Sequence, residues 1–394
     1  MQNPIVFPLP ISTASKPNRL HYVDWLRVLA ISIVFLFHSV HPFDMGDWQL
    51  KNADQSLALT IILTILSLWG MPFFFMIAGT GSYFALQRRT ARQYASERFK
   101  RLAIPYVVFT IIFFFPIVYL EWVNKTQIGR ITHSFSDQLQ LLWQYFTTNW
   151  FSPRWFGLGY HLWFLGFLFA FAMITLPLFM ALKTERGKSF IATLAKAIER
   201  PAGIFIFILP LMIVQFCFRP FFVTEHDWAD FFVQMSFFVL GYLLYTDARF
   251  SQAIRKNGWW LLVGGIIPLL LLLILYFIGD PFSWSEDPTN PLFYLVYACI
   301  TAIAYCLSVF MLSIGMCWLE FTNGLLKYAQ EAVLPIFILH QPVIIGIAFF
   351  VVQWQMGILP KLLIVVIGSF VVCLALYQFV IQRVGFLRFL FGIK

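Results

Sequence analysis

Long apolar runs recur along the chain, and they constrain its fold more than any other feature. A helix needs about 20 mostly apolar residues to cross the hydrocarbon core of a bilayer. Ten segments approach that length: 24–41, 57–84, 103–120, 160–182, 203–217, 229–246, 259–278, 291–318, 332–353 and 360–381. Because backbone amides in lipid must be hydrogen-bonded within the protein, helices are the expected structure. The sequence therefore predicts an all-α polytopic membrane protein with about ten transmembrane helices in one bundle.

Charged residues fall in short clusters between the apolar runs. They make up 11% of the chain, against 60% hydrophobic residues, and the net charge is +9. Counted on alternate sides of the predicted spans, 21 of the 27 Lys and Arg residues fall on one side. The positive-inside rule assigns that side, and with it both termini, to the cytoplasm. No basic face with interleaved aromatic residues is present, so the expected partner is the lipid bilayer and not nucleic acid.

Three regions follow from this topology. They are a cytoplasmic N-terminal tail over 1–20, a transmembrane domain over 21–382 and a short cytoplasmic C-terminal tail over 383–394. The Pro-rich N-terminal tail lacks the apolar core of a signal peptide, so the first helix is expected to be an uncleaved anchor. The predicted outer loop 121–159 is rich in aromatic residues, which is typical of a segment at the membrane interface.

The first predicted span, DWLRVLAISIVFLFHSVH (24–41), carries polar residues that lipid disfavours. At 100° per residue, Arg27 and His38 share a face about 16 Å apart along the helix, and Asp24 lies about 40° from that face. Charged groups at this depth face the bundle interior or a wet cavity. Structural hydrogen bonds and a functional stripe both explain the pattern. His38 and His41 have no third ligand nearby, so a metal site is not predicted.

The predicted cytoplasmic connection RRTARQYASERFKRLAIP (88–105) contains six basic residues and one acidic residue. Arg98 and Arg101 lie about one helical turn apart, and guanidinium groups bind phosphates bidentately. Arg88 and Arg89 could add to the same charge. The two interpretations are a polyanionic cytosolic ligand, such as a nucleotide-bearing acyl donor, and anionic lipid headgroups.

Two further polar motifs interrupt the apolar runs. GLGYHLWFLGFLF puts His161 and Trp163 at the outer start of the fourth predicted span, and LPIFILHQP puts His340 within the ninth. Each histidine alone is expected to make a structural polar contact. Together with His38 they would place three imidazoles at middle or outer depth, and His41 would be a structural or acceptor-side neighbour.

Five blocks in order resemble the acyltransferase family 3 membrane proteins. RLHYVDWLRVLAISIVFLFH is similar to the family's opening, which has an Asp-x-x-Arg and a histidine fourteen positions after the Asp. MPFFFMIAGTGSYFAL, RFKR, HLWFL and AVLPIFILHQP are similar to its later blocks. The resemblance covers 19–385 and is nearest to the glucan biosynthesis protein C subgroup. Trp25 stands where the family often has a small residue. An appended esterase-like domain is not expected, which leaves room for a periplasmic partner.

The resemblance implies transfer of an acetyl or succinyl group from acetyl-CoA or succinyl-CoA to a carbohydrate hydroxyl on the outer side of the bacterial inner membrane. It implies no permanently bound cofactor. His38 would act as a general base or as an acyl carrier. The resemblance also carries over Asp24 and Arg27, and it assigns Arg98 and Arg101 to the donor. The residues themselves add further candidates: Arg88 and Arg89 for the donor, and His161, Trp163, His340 and His41 for the acceptor or the oxyanion.

Other functions also fit intramembrane His, Asp and Arg residues. A proton-coupled transporter is the alternative, since such residues form proton relays. Against it, the sequence contains no paired inverted halves with matching broken helices. A sensory or scaffold membrane protein would need no polyanion site.

Overall fold

Helices make up most of the computed structural model, which describes residues 20–279 and 281–393, without the side chain of residue 282. No strand occurs in this part of the chain. The α-helices are α1 (His21–Val40), α2 (Leu57–Arg88), α3 (Ala91–Arg98), α4 (Ile104–Gln127), α5 (Phe135–Thr148), α6 (Trp163–Ile174), α7 (Leu176–Leu182), α8 (Glu185–Ile198), α9 (Ile208–Phe218), α10 (Trp228–Leu243), α11 (Ala248–Lys256), α12 (Gly258–Ile278), α13 (Pro281–Glu286), α14 (Pro291–Trp318), α15 (Gly324–Val351), α16 (Ile358–Ala375) and α17 (Gly385–Leu390).

Polar caps begin many of these helices just outside the apolar runs. Ser56 accepts a hydrogen bond from the backbone of α2, and Asn323 does the same for α15. Thr90 and Gln93 form a reciprocal capping box at the start of α3. Such caps satisfy backbone N–H groups that a helix leaves without partners. The chain therefore turns at polar residues and crosses the bundle in apolar ones.

Eight of the ten predicted spans are confirmed by length and composition. Within the described residues, the helices long and apolar enough to cross a membrane are His21–Phe43, Leu57–Arg88, Ala91–Gln127, Pro153–Ile174, Gly258–Ile278, Pro291–Trp318, Gly324–Val351 and Ile358–Arg383. The all-α polytopic membrane fold is therefore confirmed. The segment predicted at 229–246 is α10, which bends by 106° into α11, and the two pass the test only as one broken span. The segment predicted at 203–217 is the shorter apolar helix Gly203–Phe218.

The bundle has two polar ends. At the first, which we call the arginine end, Arg101 Nε donates to Gly392 O (3.1 Å), and the backbone N–H of His21 donates to Glu320 (3.2 Å). At the second, the histidine end, loop 44–56 is bonded to α4 and α16. Residues 21 and 392 thus lie at the same end of the bundle. That this end faces the cytoplasm stays a prediction.

The short segment Gly203–Phe218 connects these two ends. Its start packs on α8, where a Cβ on Gly203 would lie 2.5 Å from Ala197 O. Its far end leads to Arg219, which pairs with Asp230 at the start of α10. It is shorter than a usual span and is not among the helices that are long enough to cross a membrane.

Helices α2 and α10 touch through their backbones. A Cβ on Gly79 would lie 1.9 Å from Phe238 O, and one on Gly241 would lie 1.9 Å from Met76 O. The hydroxyl of Thr80 also donates to Gly241 O (3.1 Å). In lipid there is no hydrophobic driving force between helices, so close packing through small residues stabilises their association. This contact fixes α2, the neighbour of α1, in the middle of the bundle.

Candidate active site

Three histidines from separate segments meet in the half of the bundle near the histidine end. Ring centroids of His38 (α1) and His340 (α15) are 5.1 Å apart, and those of His340 and His161, just before α6, are 4.8 Å apart. His38 and His161 are 6.5 Å apart. We call these three residues the histidine cluster. The structure thus brings together the three imidazoles that the sequence places at middle or outer depth.

Two members of the histidine cluster donate to backbone carbonyls of α15. His340 Nδ1 lies 2.6 Å from Phe337 O, and His161 Nε2 lies 3.1 Å from Ile338 O. Pro342 has no N–H group, so Ile338 O is left without its usual helical donor and can accept from His161. Since a carbonyl oxygen only accepts, the nitrogens that face it carry the protons.

The opposite nitrogens of these two rings are lone-pair acceptors inside the bundle. His161 and His340 are 5% and 1% exposed, whereas His38 is only partly buried. Within the described residues, His161 Nδ1 and His340 Nε2 are buried without a hydrogen-bond partner. Because unpaired buried polar atoms are costly, they are suited to accept a hydrogen bond from a bound hydroxyl group.

A strained turn positions His161. Its neighbour Tyr160 has φ 49° and ψ −125°, a left-handed conformation that non-glycine residues rarely adopt. The Tyr160 hydroxyl contacts Glu121 Oε2 (3.3 Å) in α4. Residues held in such conformations cluster at functional sites, where the surrounding structure compensates for the strain. No residue pattern predicted this turn.

Loop 44–56 closes the histidine end and adds residues that sequence reasoning missed. The Trp48 ring stacks on His41 (5.6 Å, 14°) and on His38 (6.2 Å, 28°). His41 Nδ1 lies 3.2 Å from Asp44 Oδ2, and the fully buried Lys51 contacts Asp44 Oδ1 (2.5 Å) and His41 O (2.6 Å). The spacing of His41 and Asp44 could have predicted this contact, because residues three apart face the same side of a helical turn.

Asp44 and Lys51 form an ion pair within this loop. Burial raises the pKa of Asp44, but the neighbouring His41 and Lys51 outweigh burial and hold that pKa below its ordinary value. Burial likewise lowers the pKa of Lys51, although Asp44 opposes the change. The loop therefore carries a buried carboxylate–ammonium pair beside His41, and a buried pair of this kind must keep its geometry to remain tolerable.

Asp24 and Arg27 lie apart from the histidine cluster. Arg27 Nη1 is 3.2 Å from Asp24 Oδ1, and the guanidinium lies against Gly81 of α2, where a Cβ would be 2.5 Å from Nη2. About three helical turns separate Arg27 from His38 along α1. The pair belongs to the arginine end, as the spacing predicts.

Only part of the predicted arginine group faces a common cleft. A cleft of about 460 Å³ at the arginine end is lined by basic residues, by Glu97 and by part of the C-terminal segment. The basic residues are Arg92, Lys100 and Arg101, and the C-terminal ones are Phe389, Gly392 and Ile393. A π-helical turn, Phe99–Ala103, joins α3 to α4 and carries two of these basic residues. Such turns are frequent at functional sites because they redirect side chains.

The other predicted donor residues point elsewhere. Arg98 turns into the bundle, with Nη2 3.4 Å from Ser82 Oγ and its guanidinium carbon 4.9 Å from the Tyr94 ring centroid. Arg89 pairs with Glu97 at 2.9 Å. Arg88 ends α2 beside it. From the sequence, these arginines were predicted to bind one ligand together. In the structure, their side chains have different partners.

Trp163 packs away from the histidine cluster, with its ring 4.3 Å from that of His226 and 5.0 Å from that of Phe167. In the part of the chain that the structure describes, no three His, Cys, Asp or Glu residues form a group that could hold a metal ion. The groups that contact the rings of His38 and His41 are therefore other aromatic rings, imidazoles and the carboxylate of Asp44.

Comparison with known proteins gives one match. Residues 20–378 match the acyltransferase family 3 model, which is described as an acyltransferase domain. No curated protein and no solved structure matches the chain. The family match covers nearly the whole chain and selects the enzyme over the transporter among the functions that intramembrane His, Asp and Arg residues permit. The chain belongs to acyltransferase family 3 and is a multi-pass membrane acyltransferase of the O-acyltransferase type.

Proposed function

We propose that this enzyme transfers an acetyl or succinyl group from acyl-CoA to a carbohydrate hydroxyl across the bacterial inner membrane. The arginine end would face the cytoplasm and receive the donor, and the histidine end would face the acceptor. One observation carries the proposal: a basic cleft and the histidine cluster lie at opposite ends of one bundle. The resemblance to glucan-modifying relatives makes a glucan the first acceptor to test.

The arginine end supports binding of the donor phosphates. Arg101, Arg92 and Lys100 line the cleft, and charge-assisted hydrogen bonds to phosphate are among the stronger polar contacts. Asp24 and Arg27 lie between this end and the interior of the bundle. The thioester end of the donor would then have to reach His38, about 16 Å beyond Arg27 along α1.

The histidine end supports the transfer itself. His38 is the member of the histidine cluster with partly accessible surface. A neutral imidazole there can remove the proton of the acceptor hydroxyl as the hydroxyl attacks the thioester. It can instead take the acyl group and pass it on. His161 and His340 direct their N–H groups at carbonyls, so in this arrangement they suit binding of the acceptor hydroxyl better than stabilisation of an oxyanion.

Replacement of the central histidine tests the proposal. His38→Ala should abolish release of CoA from acetyl-CoA and succinyl-CoA in the presence of a glucan oligosaccharide, while membrane insertion is retained. His133→Ala is the matched control, because His133 lies outside the histidine cluster and contacts Gln138 (2.6 Å). Full activity of the His38 variant would contradict the proposed role of His38.

A further inference from the structure

Two histidines of α1 lie side by side at the histidine end but have different partners. The rings of His38 and His41 are 6.1 Å apart, and Trp48 stacks against both. His41 faces the carboxylate of Asp44 at 3.2 Å. In the described part of the chain, no ion pair involves His38, whose ring neighbours are Phe37, Trp48 and other imidazoles.

This difference matters for proton transfer. A base that accepts a proton becomes an imidazolium ion, and a nearby carboxylate stabilises that ion and fixes the tautomer of the neutral ring. Asp44 therefore favours the proton on His41 Nδ1 and leaves Nε2 as the accepting nitrogen. The approach is not well aligned, as is common in catalytic hydrogen bonds that tighten only when substrate binds.

The surroundings hold the His41–Asp44 dyad in place. Lys51 is fully buried and bonds Asp44 and the carbonyl of His41, so it ties both ends of the dyad together. The backbone of Lys51 is in turn bonded to Asn124 of α4 (2.8 and 3.3 Å). A buried ammonium group held by a carboxylate and a backbone carbonyl is a positioning element rather than a free cation.

We infer that the work is divided between the two histidines: His38 carries the acyl group, and His41, oriented by Asp44 and Lys51, takes the proton from the acceptor hydroxyl. This inference rests on the proposed function and deepens it. Asp44 and Lys51 are positioning residues, because they act through His41.

The two steps balance. In the first, an unprotonated nitrogen of His38 attacks the thioester carbon; a C–N bond forms, the C–S bond breaks, and the electron pair leaves with the sulfur as CoA thiolate. In the second, the acceptor oxygen attacks the acyl carbon, an ester C–O bond forms, and the C–N bond breaks with its electron pair returning to His38. The hydroxyl proton passes to His41 Nε2 and from there to water at the histidine end. The thiolate takes a proton from water on the donor side.

Pre-steady-state release of CoA tests the division. Purified full-length protein is mixed with acetyl-CoA and a glucan oligosaccharide, and the free thiol is followed with a chromogenic reagent. The wild type should release one CoA per protein in a burst before steady turnover. His41→Phe keeps a ring against Trp48; it should retain a burst of one equivalent but turn over about 10²- to 10⁴-fold more slowly, the usual effect of losing a general base. His38→Ala should show no burst.

The loop variants provide matched controls. Asp44→Asn should reproduce the effect of His41→Phe, and Lys51→Met should lower turnover in the same direction without abolishing the burst. Asp47→Asn should leave turnover unchanged, because Asp47 lies in the same loop but its side chain is 77% exposed and pairs with Lys125 and Arg130. Lys361→Met removes a buried ammonium group that bonds Asn52 of this loop (2.7 Å) without touching the dyad. Lys361→Met is therefore the control for effects that come only from a disturbed loop structure.

Three results would overturn the inference. One is turnover of His41→Phe within threefold of the wild type, and another is loss of the burst in that variant while the protein stays monodisperse. The third is equal loss of turnover in Lys361→Met and Asp44→Asn, which would assign the effect to loop structure. Absence of CoA release from the wild type with both acetyl-CoA and succinyl-CoA would instead overturn the proposed function itself.

Discussion

Arg101 and Arg98 should differ in their effect on donor use, although they occupy equivalent places in the RFKR motif. Arg101 lines the basic cleft, whereas Arg98 points at Ser82 and Tyr94 inside the bundle. Arg101→Ala should therefore raise the KM for acyl-CoA, and Arg98→Ala should act mainly on stability. The KM for the acceptor should change little in either variant, because both arginines lie at the end opposite the histidine cluster.

The magnitude follows from the partners of Arg101. A hydrogen bond between charged groups contributes about 1.5–3 kcal/mol. Arg101 already donates through Nε to Gly392 O (3.1 Å) and lies 3.7 Å from Glu97 Oε1. A phosphate must compete with these partners, so the lower value applies, and about 1.4 kcal/mol corresponds to a tenfold rise in KM. Arg98→Ala should change the same KM less than about threefold.

A substitution of Glu97 should change the donor KM in the opposite direction. Its carboxylate lies in the cleft and is 2.9 Å from Arg89 as well as 3.7 Å from Arg101. Glu97→Gln removes a negative charge that repels phosphate and competes for Arg101. For partly exposed ion pairs the effect is about 0.2–1 kcal/mol, so the donor KM should fall by a factor of about 1.4 to 5.

Initial rates with varied acetyl-CoA at saturating acceptor measure these three constants, and melting temperatures in detergent report folding. Arg92→Ala, on the same cleft, should raise the donor KM in the same direction as Arg101→Ala. The assignment of the cleft to the donor would be refuted if Arg98→Ala raised this KM more than Arg101→Ala. A rise of the KM in Glu97→Gln would refute the electrostatic argument.

Three further predictions concern packing, strain and charge. Gly241→Ala would place a Cβ 1.9 Å from Met76 O, so it should cost about 1–3 kcal/mol and lower the melting temperature, unlike Gly346→Ala, which has open space around it. Tyr160→Phe removes the hydroxyl contact beside the strained turn, so the fold-change in kcat should be larger than the fold-change in the donor KM. Equal fold-changes in kcat and KM would refute a role of Tyr160 in placing His161. The pKa of Asp44 is held below its ordinary value of about 3.9, so its stabilising charge is present above that value and is lost as pH falls through the lower folded-state pKa. Melting temperatures of the wild type and Asp44→Asn should therefore differ at neutral pH and converge in strong acid.

Much of the fold could be predicted because lipid imposes simple rules on helices. Runs of span length, alternation of basic loops and the Pro- and Gly-containing second helix gave the helical class and eight spans, which are confirmed. The segment at 203–217 is too short to be assigned by length. The segment at 229–246 has a sufficient length, but its sequence did not predict the 106° bend that follows α10.

The candidate site was less accessible from sequence. Depth along each helix follows from residue count, so His38, His161 and His340 could be placed at similar levels. Which way a side chain points does not follow from count, and for that reason Arg98 and Arg101 were treated alike. Asp44 and Lys51 were missed because a charge in a short loop ordinarily faces water, whereas this pair is buried.

The position of the histidine cluster also bears on whether the donor or the acceptor has to enter the interior of the bundle. A carbohydrate carries many hydroxyl groups, and each one that leaves water without a partner costs about 1–3 kcal/mol on the scale of protein mutations. Drawing an acceptor deep into the bundle would be expensive, whereas the thioester end of an acyl-CoA exposes few polar atoms. In the proposed function, catalysis close to the histidine end would let the acceptor remain near water while the donor extends from the arginine end. His38 lies at residue 18 of a 20-residue helix that begins at the arginine end, about 26 Å along its axis. That placement supports the proposal that the acceptor binds at the end of the bundle opposite the donor.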